Sequence, residues 1–284
     1  MSEVLVIGAS GLVGTEVMRA AAPRSVHGVA RQVSGLATEA MDLLDPAAIR
    51  RVIERERPAL VVVASAWPWV DGCEQDPARS ERENVGTVKN LVEVLPASTR
   101  LVFFSTEHVF DGRAASYDEH AATSPLSVYA RHKRDVEELL ARRGRALVAR
   151  TSYVFGHEAR RKNFMYRVVD ASTSRTPLKV PSAQAGMPTW AVWLARSALQ
   201  LAFEGVDGIV HLTGPDVLTK GEWAALLAKG LALPGVEIVE VPWQQSGQVA
   251  PRPERVRLVS TRHTLQHPPL LELLQRERTA LLAS

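Results

Sequence analysis

Glu3-Val4-Leu5-Val6-Ile7-Gly8-Ala9-Ser10-Gly11-Leu12-Val13-Gly14 is the stretch that decides the fold. Val4 to Ile7 form an unbroken apolar run, the pattern of a strand buried on both faces. The run ends on glycines spaced three apart, and Thr15 to Ala22 read as a helix that stops at Pro23. A strand, a glycine turn and a helix start in that order let a diphosphate approach backbone N–H groups at a helix N-terminus. Such a turn says little by itself. At the first strand of a chain that keeps alternating strand and helix, it signals a dinucleotide site.

The alternation continues. Ser25 to Ala30 read as a second strand, Pro46 to Arg57 as a helix with exposed Arg and Glu, and Leu60 to Val63 as a third apolar strand. Leu101 to Phe104 and Ala146 to Arg150 supply two more. This rhythm predicts an α/β fold, a Rossmann-type doubly wound parallel sheet with a smaller C-terminal substrate-binding lobe. Residues 1–155 form the dinucleotide-binding part, with some later segments returning to it, and residues 156–284 form mainly the lobe. The second strand ends in Arg31, where an acidic residue would repel a ribose 2′-phosphate and an arginine would bind it. Arg31 therefore favours NADP(H) over NAD(H).

The chemistry concentrates between Leu101 and Lys133. A short buried strand delivers Thr106, and a helix then delivers Tyr129 and Lys133, which share one face because they lie four residues apart. Of the four tyrosines only Tyr129 is followed at that spacing by a lysine. A free phenol titrates near ~10, and a neighbouring ammonium favours its ionised form, making Tyr129 a usable acid or base. A hydroxyl from Thr106 would hold a substrate oxygen whose charge changes as hydride moves to or from its carbon.

Ser105-Thr106-Glu107-His108-Val109-Phe110-Asp111-Gly112, followed by Tyr117-Asp118-Glu119 and Pro125…Tyr129…Lys133, resembles the extended short-chain dehydrogenase/reductases, most closely the dTDP-4-dehydrorhamnose reductase branch. That branch reads S-T-D-Y-V-F-D-G, P-Y-x-E and P-x-x-x-Y-G-x-x-K, so Glu107 stands for an Asp that touches substrate and His108 for a Tyr. The resemblance implies catalytic roles for Thr106, Tyr129 and Lys133, with Lys133 both lowering the Tyr129 pKa and binding the nicotinamide ribose. It implies a cofactor site from Gly8, Ser10, Gly11, Leu12, Val13 and Gly14, joined by Arg31, by Asp42 and Leu43 at the adenine, and by the small residues Ala64, Ser65 and Ala66. Asn84, in a helix element like the family's N-x-x-G-T/V, would help anchor the active-site helix.

Substrate contacts are implied for Trp67, Thr106, Glu107, Tyr153, Pro188 and Arg252. Trp67 and Trp69 either wall a substrate pocket or pack beneath a loop. Tyr153 lies in Thr151-Ser152-Tyr153-Val154-Phe155-Gly156, similar to R-T-S-W-V-Y/F-G, and Pro188 in Ala183-Gln184-Ala185-Gly186-Met187-Pro188-Thr189, similar to D-Q-x-G-x-P-T with Ala183 in place of Asp. Arg252, in Ala250-Pro251-Arg252-Pro253, would grip a substrate diphosphate bidentately or be an ordinary loop arginine.

The single cysteine, Cys73, allows no internal disulfide, which agrees with a cytoplasmic protein, and the N-terminus carries no signal peptide. No apolar run spans a bilayer. A net charge of +3 and a pI near 9.2 raise nucleic-acid binding, but the clusters at Arg142, Arg143 and Arg145 and at Arg160, Arg161 and Lys162 lack interleaved aromatics. No metal-ligand spacing is present; magnesium accompanies some relatives, and homodimers are common in the superfamily. The implied activity is NADPH-dependent reduction of a nucleoside-diphosphate-linked 4-keto-deoxysugar. Two alternatives share the same residues: an epimerase or dehydratase that retains NAD(P), and a regulatory subunit like that of methionine adenosyltransferase.

Overall fold

In the computed structural model, which describes residues 1–283, the chain alternates strand and helix from its first residues. The first half contains β1 (Val4–Ile7), α1 (Leu12–Ala21), β2 (Val26–Ala30), β3 (Glu39–Ala40), α2 (Pro46–Glu56), β4 (Leu60–Val63), α3 (Val70–Gln75), α4 (Pro77–Ser80), a π-helical turn (Glu81–Gly86), α5 (Thr87–Val94) and β5 (Arg100–Thr106). The second half contains α6 (Val128–Arg143), β6 (Ala146–Thr151), β7 (Val154–Phe155), α7 (Phe164–Ser174), β8 (Leu178–Pro181), β9 (Ala185–Gly186), β10 (Thr189–Trp190), α8 (Ala191–Phe203), β11 (Gly208–His211), β12 (Leu218–Thr219), α9 (Lys220–Gly230), β13 (Ile238–Val241) and α10 (Leu270–Arg276). α1 starts at Leu12 rather than Thr15, because the turn is complete at Gly11 and Leu12 to Gly14 form the first helical turn.

Seven strands form one sheet in the order β11-β6-β5-β4-β1-β2-β3, every neighbouring pair parallel. Its apolar strands alternate between two helix layers. Val4, Val6, Leu60, Val62, Val102 and Leu147 face α1 and α8 through Val17, Leu194 and Ala198. Leu5, Ile7, Val61, Val63, Leu101 and Val148 face α2, α5 and α6 through Ile49, Leu91 and Val136. Each Leu or Ile so enclosed contributes roughly 1.5–3 kcal/mol of transfer free energy. The order reverses between β1 and β4, so the carboxyl ends of these strands open a crevice. Among the described residues, no helix is long and apolar enough to cross a membrane.

A second core gathers Tyr166, Val168, Val180, Trp223, Leu227 and Leu274 from α7, β8, α9 and α10. The chain enters this lobe after β6, returns to the sheet as α8 and β11, and leaves again through α9. Glu119 ties the returning segments together: its carboxylate accepts from the amide and hydroxyl of Thr261, the hydroxyl of Ser260 and the amide of His211 at 2.7–3.3 Å. Burial alone would raise its pKa, but the donors from Thr261 and Ser260 outweigh it and hold the group at about 2. Because the folded pKa lies below the ordinary 4.5, this stabilisation is complete above 4.5 and is lost as pH falls toward 2. Glu119→Gln is expected to lose about 1–3 kcal/mol at pH 7. In urea unfolding, the gap to wild type should narrow as pH is lowered through 4 to 3; a constant gap would refute the assignment.

Candidate active site

The cleft at the carboxyl end of the sheet encloses about 520 Å³ and is lined from both lobes, by Thr106, Glu107 and Tyr129 on one side and Tyr153, Lys220 and Arg252 on the other. A larger hollow of about 840 Å³ lies at the amino ends of the strands, beside Glu3, Arg57 and Arg100, and contains none of the predicted site residues.

The helix bearing Tyr129 is fixed at its start and along its face. Ser127 caps α6 by accepting from the Ala130 amide at 3.3 Å, and Glu74 accepts from the Val128 amide at 2.8 Å. Ser80 bonds His132 at 2.8 Å, and Asn84, within the π turn, bonds both Ser80 and the Trp67 backbone. One helical turn beyond Lys133, Glu137 takes Arg150 of β6 in a fork, with Nε at 3.0 Å from one carboxylate oxygen and Nη2 at 2.6 Å from the other. The Ser105 hydroxyl of β5 donates to the same carboxylate at 2.5 Å. Tyr129, Lys133 and Glu137 therefore form one face of α6, and the buried ion pair fixes its rotation over β5 and β6.

Lys133 is 4% exposed, and its ammonium donates to the Phe104 carbonyl at 2.8 Å while lying 4.4 Å from the Phe103 ring and 5.9 Å from the Tyr129 ring. Burial pulls its pKa down to about 8, against the opposing charge of Glu137. The expected lowering of the Tyr129 pKa by Lys133 is not found. Burial, followed by the Glu107 charge, pushes the phenol up, while the Lys133 ammonium is directed at a backbone carbonyl.

Thr106 ends β5 with its hydroxyl donating to Glu107 at 3.0 Å and accepting from the His108 amide at 3.2 Å. The other Glu107 oxygen takes the Ser152 hydroxyl at 3.0 Å, and Ser152 accepts from the Met187 amide at 2.9 Å. Glu107 is thus fastened between β5 and the segment after β6. Tyr153 holds a left-handed backbone at φ 41°, a conformation that costs a non-glycine residue about 1–3 kcal/mol and that recurs at functional sites. Arg252 is held at the cleft by Asp71 at 2.9 Å, and Asp71 also accepts from the amides of Val249 and Ala250. Burial acts to raise Asp71, but Arg252 and those amides keep its carboxyl low.

The glycine turn fits a dinucleotide. Gly8 has φ +90°, and a Cβ on Gly14 would stand 2.1 Å from the Gly8 carbonyl oxygen, so the first turn of α1 packs directly on the loop and leaves its amides outward. Ser10, Gly11, Leu12 and Val13 follow this turn, and Ala64, Ser65 and Ala66 leave β4 beside it with Ser65 and Ala66 exposed. Arg31 stands exposed at the end of β2, paired with Glu83 at 3.0 Å. Asp42 is exposed and accepts from the Leu44 amide, while Leu43 is buried with its carbonyl bound by Asn90. Among the described residues, no group of three or more His, Cys, Asp or Glu is placed to hold a metal.

Two residues expected at the substrate are not among those lining this cleft. Trp67 lies beneath Arg79, at 4.3 Å, and presents its edge to Trp69, because its backbone is pinned by Asn84; Trp69, 57% exposed, takes the cleft wall. Pro188 is buried behind the cleft, its carbonyl oxygen against Gly214. Conversely, Lys220 and the Glu137–Arg150 pair are placed at the site only by the fold, and Ser152, though part of the motif around Tyr153, shows its bond to Glu107 only there.

The model of the family described as "RmlD substrate binding domain" matches residues 1–272. The chain belongs to that family. Among relatives of this family member, the dTDP-4-dehydrorhamnose reductase of Burkholderia thailandensis is 32% identical over 274 residues, covering 88% of each chain. The methionine adenosyltransferase 2 subunit beta of Danio rerio is 28% identical, covering 78% of this chain and 71% of its own. The dTDP-4-dehydrorhamnose reductase of Bacillus anthracis, solved in complex with NADP, superposes with a TM-score of 0.86 over 97% of this chain and 98% of its own at 22% identity, which establishes the shared fold.

Removing one member of a buried ion pair leaves the other uncompensated, at a cost of about 3–5 kcal/mol. Glu137→Leu is expected to lower stability by that amount in chemical denaturation, whereas the double change Glu137→Leu with Arg150→Met should recover most of it. Additive losses in this cycle would refute the pair as the tie between α6 and the sheet.

Proposed function

We propose that this protein is an NADPH-dependent reductase of a nucleoside-diphosphate-linked 4-keto-deoxysugar. The observation that supports this reading is that Thr106 and Tyr129 line one cleft at the carboxyl ends of the strands, with Lys133 buried one helical turn beyond Tyr129 on the same face of α6. NADPH, when bound, supplies the hydride for the carbonyl carbon. Gly8 to Gly14 would hold its diphosphate, Ala64 to Ala66 would give it room, and Lys133 would bond its ribose. Tyr129, protonated at neutral pH, would donate its proton to the substrate oxygen. Thr106 would turn its hydroxyl proton from Glu107 to that oxygen, steadying the charge there. Glu107 and Tyr153 would face the sugar, and Arg252, already oriented by Asp71, would face the diphosphate. The Burkholderia relative supports this substrate class.

A second reading, a regulatory subunit, follows from the Danio relative, which is named a subunit of methionine adenosyltransferase 2. Stoichiometric oxidation of NADPH by dTDP-4-keto-6-deoxyglucose, followed at 340 nm, separates the readings. A reductase consumes one NADPH per product, an epimerase or dehydratase none, and a regulatory subunit turns over no keto-sugar nucleotide. Tyr129→Phe is expected to lower kcat by about 10²–10⁴-fold, with NADPH affinity retained; a loss below about tenfold would remove Tyr129 as the proton donor.

For cofactor choice, Arg31 at the end of β2 supports NADPH, the 2′-phosphate taking the guanidinium now shared with Glu83. Arg31→Ala should reduce kcat/KM for NADPH by about tenfold and leave NADH nearly unchanged. Equal effects on both cofactors would overturn this role.

A further inference from the structure

Lys220 opens α9 and reaches into the cleft from the second lobe. Its ammonium stands 3.2 Å above the centre of the Tyr153 ring and 4.7 Å from that of Phe164. Among the described residues it has no side-chain hydrogen bond and no ion pair. The aromatic faces steady a cation without replacing conventional hydrogen-bond acceptors, so the ammonium, which lines the cleft, keeps donor capacity for a ligand. The charged and titratable groups around it are Glu107, His108, Lys162, Arg167 and Arg252. Glu107, the one carboxylate in that set, is already engaged by the hydroxyls of Thr106 and Ser152. Asp71 balances Arg252, but Lys162, Arg167 and Lys220 still outnumber the single lining carboxylate, so the lining keeps an excess of positive charge. Burial, then Arg167 and Arg252, pull the Lys220 pKa down to about 7 while Glu107 opposes them. An anion brought between Lys220 and Arg252 would relieve both the repulsion and the desolvation.

Resting on the substrate class proposed above, we propose that Lys220 is the second half of a two-cation clamp, opposite Arg252, on the diphosphate of the nucleotide-linked sugar. The Tyr153 ring is the platform that aims it. Arg252 is held rigidly by Asp71, whereas Lys220 is held only by ring faces, so its head group is free to follow the phosphate oxygens.

Calorimetry in saturating NADP⁺, with dTDP and with dTDP-glucose as probes, tests the assignment. At pH 6.5 Lys220→Met is expected to weaken both probes by the same factor, about tenfold or more, since the diphosphate is common to them. Lys220→Arg should stay within about threefold, because the charge is kept. NADP⁺ affinity should be the same in all three proteins, which shows that they are folded. The esterified diphosphate does not titrate near neutrality, so dTDP-glucose binding to wild type should weaken above pH 7 by up to about tenfold per unit. The Lys220→Arg protein should show no such slope. Unchanged binding in Lys220→Met, or weakening confined to dTDP-glucose, would overturn the clamp and leave the substrate class standing. If wild type binds none of dTDP, dTDP-glucose, UDP and UDP-glucose, the substrate class falls and the clamp falls with it.

Discussion

The fork between Glu137 and Arg150 is the contact on which the geometry of this molecule depends. It joins the helix that carries Tyr129 and Lys133 to two adjacent strands, and the Ser105 hydroxyl fills the remaining position on the carboxylate. A helix resting on a sheet through apolar contacts alone can roll, since such contacts have little direction. Rolling would carry Tyr129 past the cleft. A paired carboxylate and guanidinium have direction, and their enclosure makes any misalignment costly. The pair therefore specifies an orientation more than it adds stability.

Around that fixed helix the site is built from the edges of two lobes, with a consistent division of charge. On the sheet side, Glu107 receives two hydroxyls and presses the phenol toward its protonated form. On the lobe side, Arg167, Lys220 and Arg252 converge. A ligand that is neutral and hydroxylated at one end and anionic at the other matches this gradient. Among the matched relatives, the Burkholderia reductase is named for a substrate of that shape. The crevice sits where the strand order reverses, so the gradient and the dinucleotide turn open on the same side of the sheet.

What the sequence disclosed follows from the range of the interactions involved. The glycine turn, the buried strands and the Tyr129–Lys133 spacing are local patterns, each readable within about ten residues. The start of α9 is local in the same way, Thr219 and Glu222 forming a capping box within four residues. The partners of these groups were not legible. Arg31 meets Glu83, Glu137 meets Arg150 and Asp71 meets Arg252 only after the chain has crossed the sheet, and no spacing encodes such pairings. The two tryptophans show the limit most plainly. Side by side in sequence, one became packing and the other a cleft wall, and the choice was made by Asn84 gripping the Trp67 backbone. The direction of the Tyr129 pKa was misjudged on similar grounds, since it depends on enclosure and on where Lys133 spends its donors.

The path of the chain between the lobes has a mechanical consequence. After β6 it passes into the lobe, comes back through α8 and β11, departs again at α9, and finally bonds Leu258 and Thr261 to the segment holding Tyr117 and Glu119. Several threads thus stitch the two halves together, and a jaw that swings on one hinge would have to bend all of them at once. Admission of a bulky guest would then fall to the side chains that line the cleft, Trp69 and Gln248 among them. The tempo of entry and exit would then be that of side chains stepping aside, with the frame around them standing still.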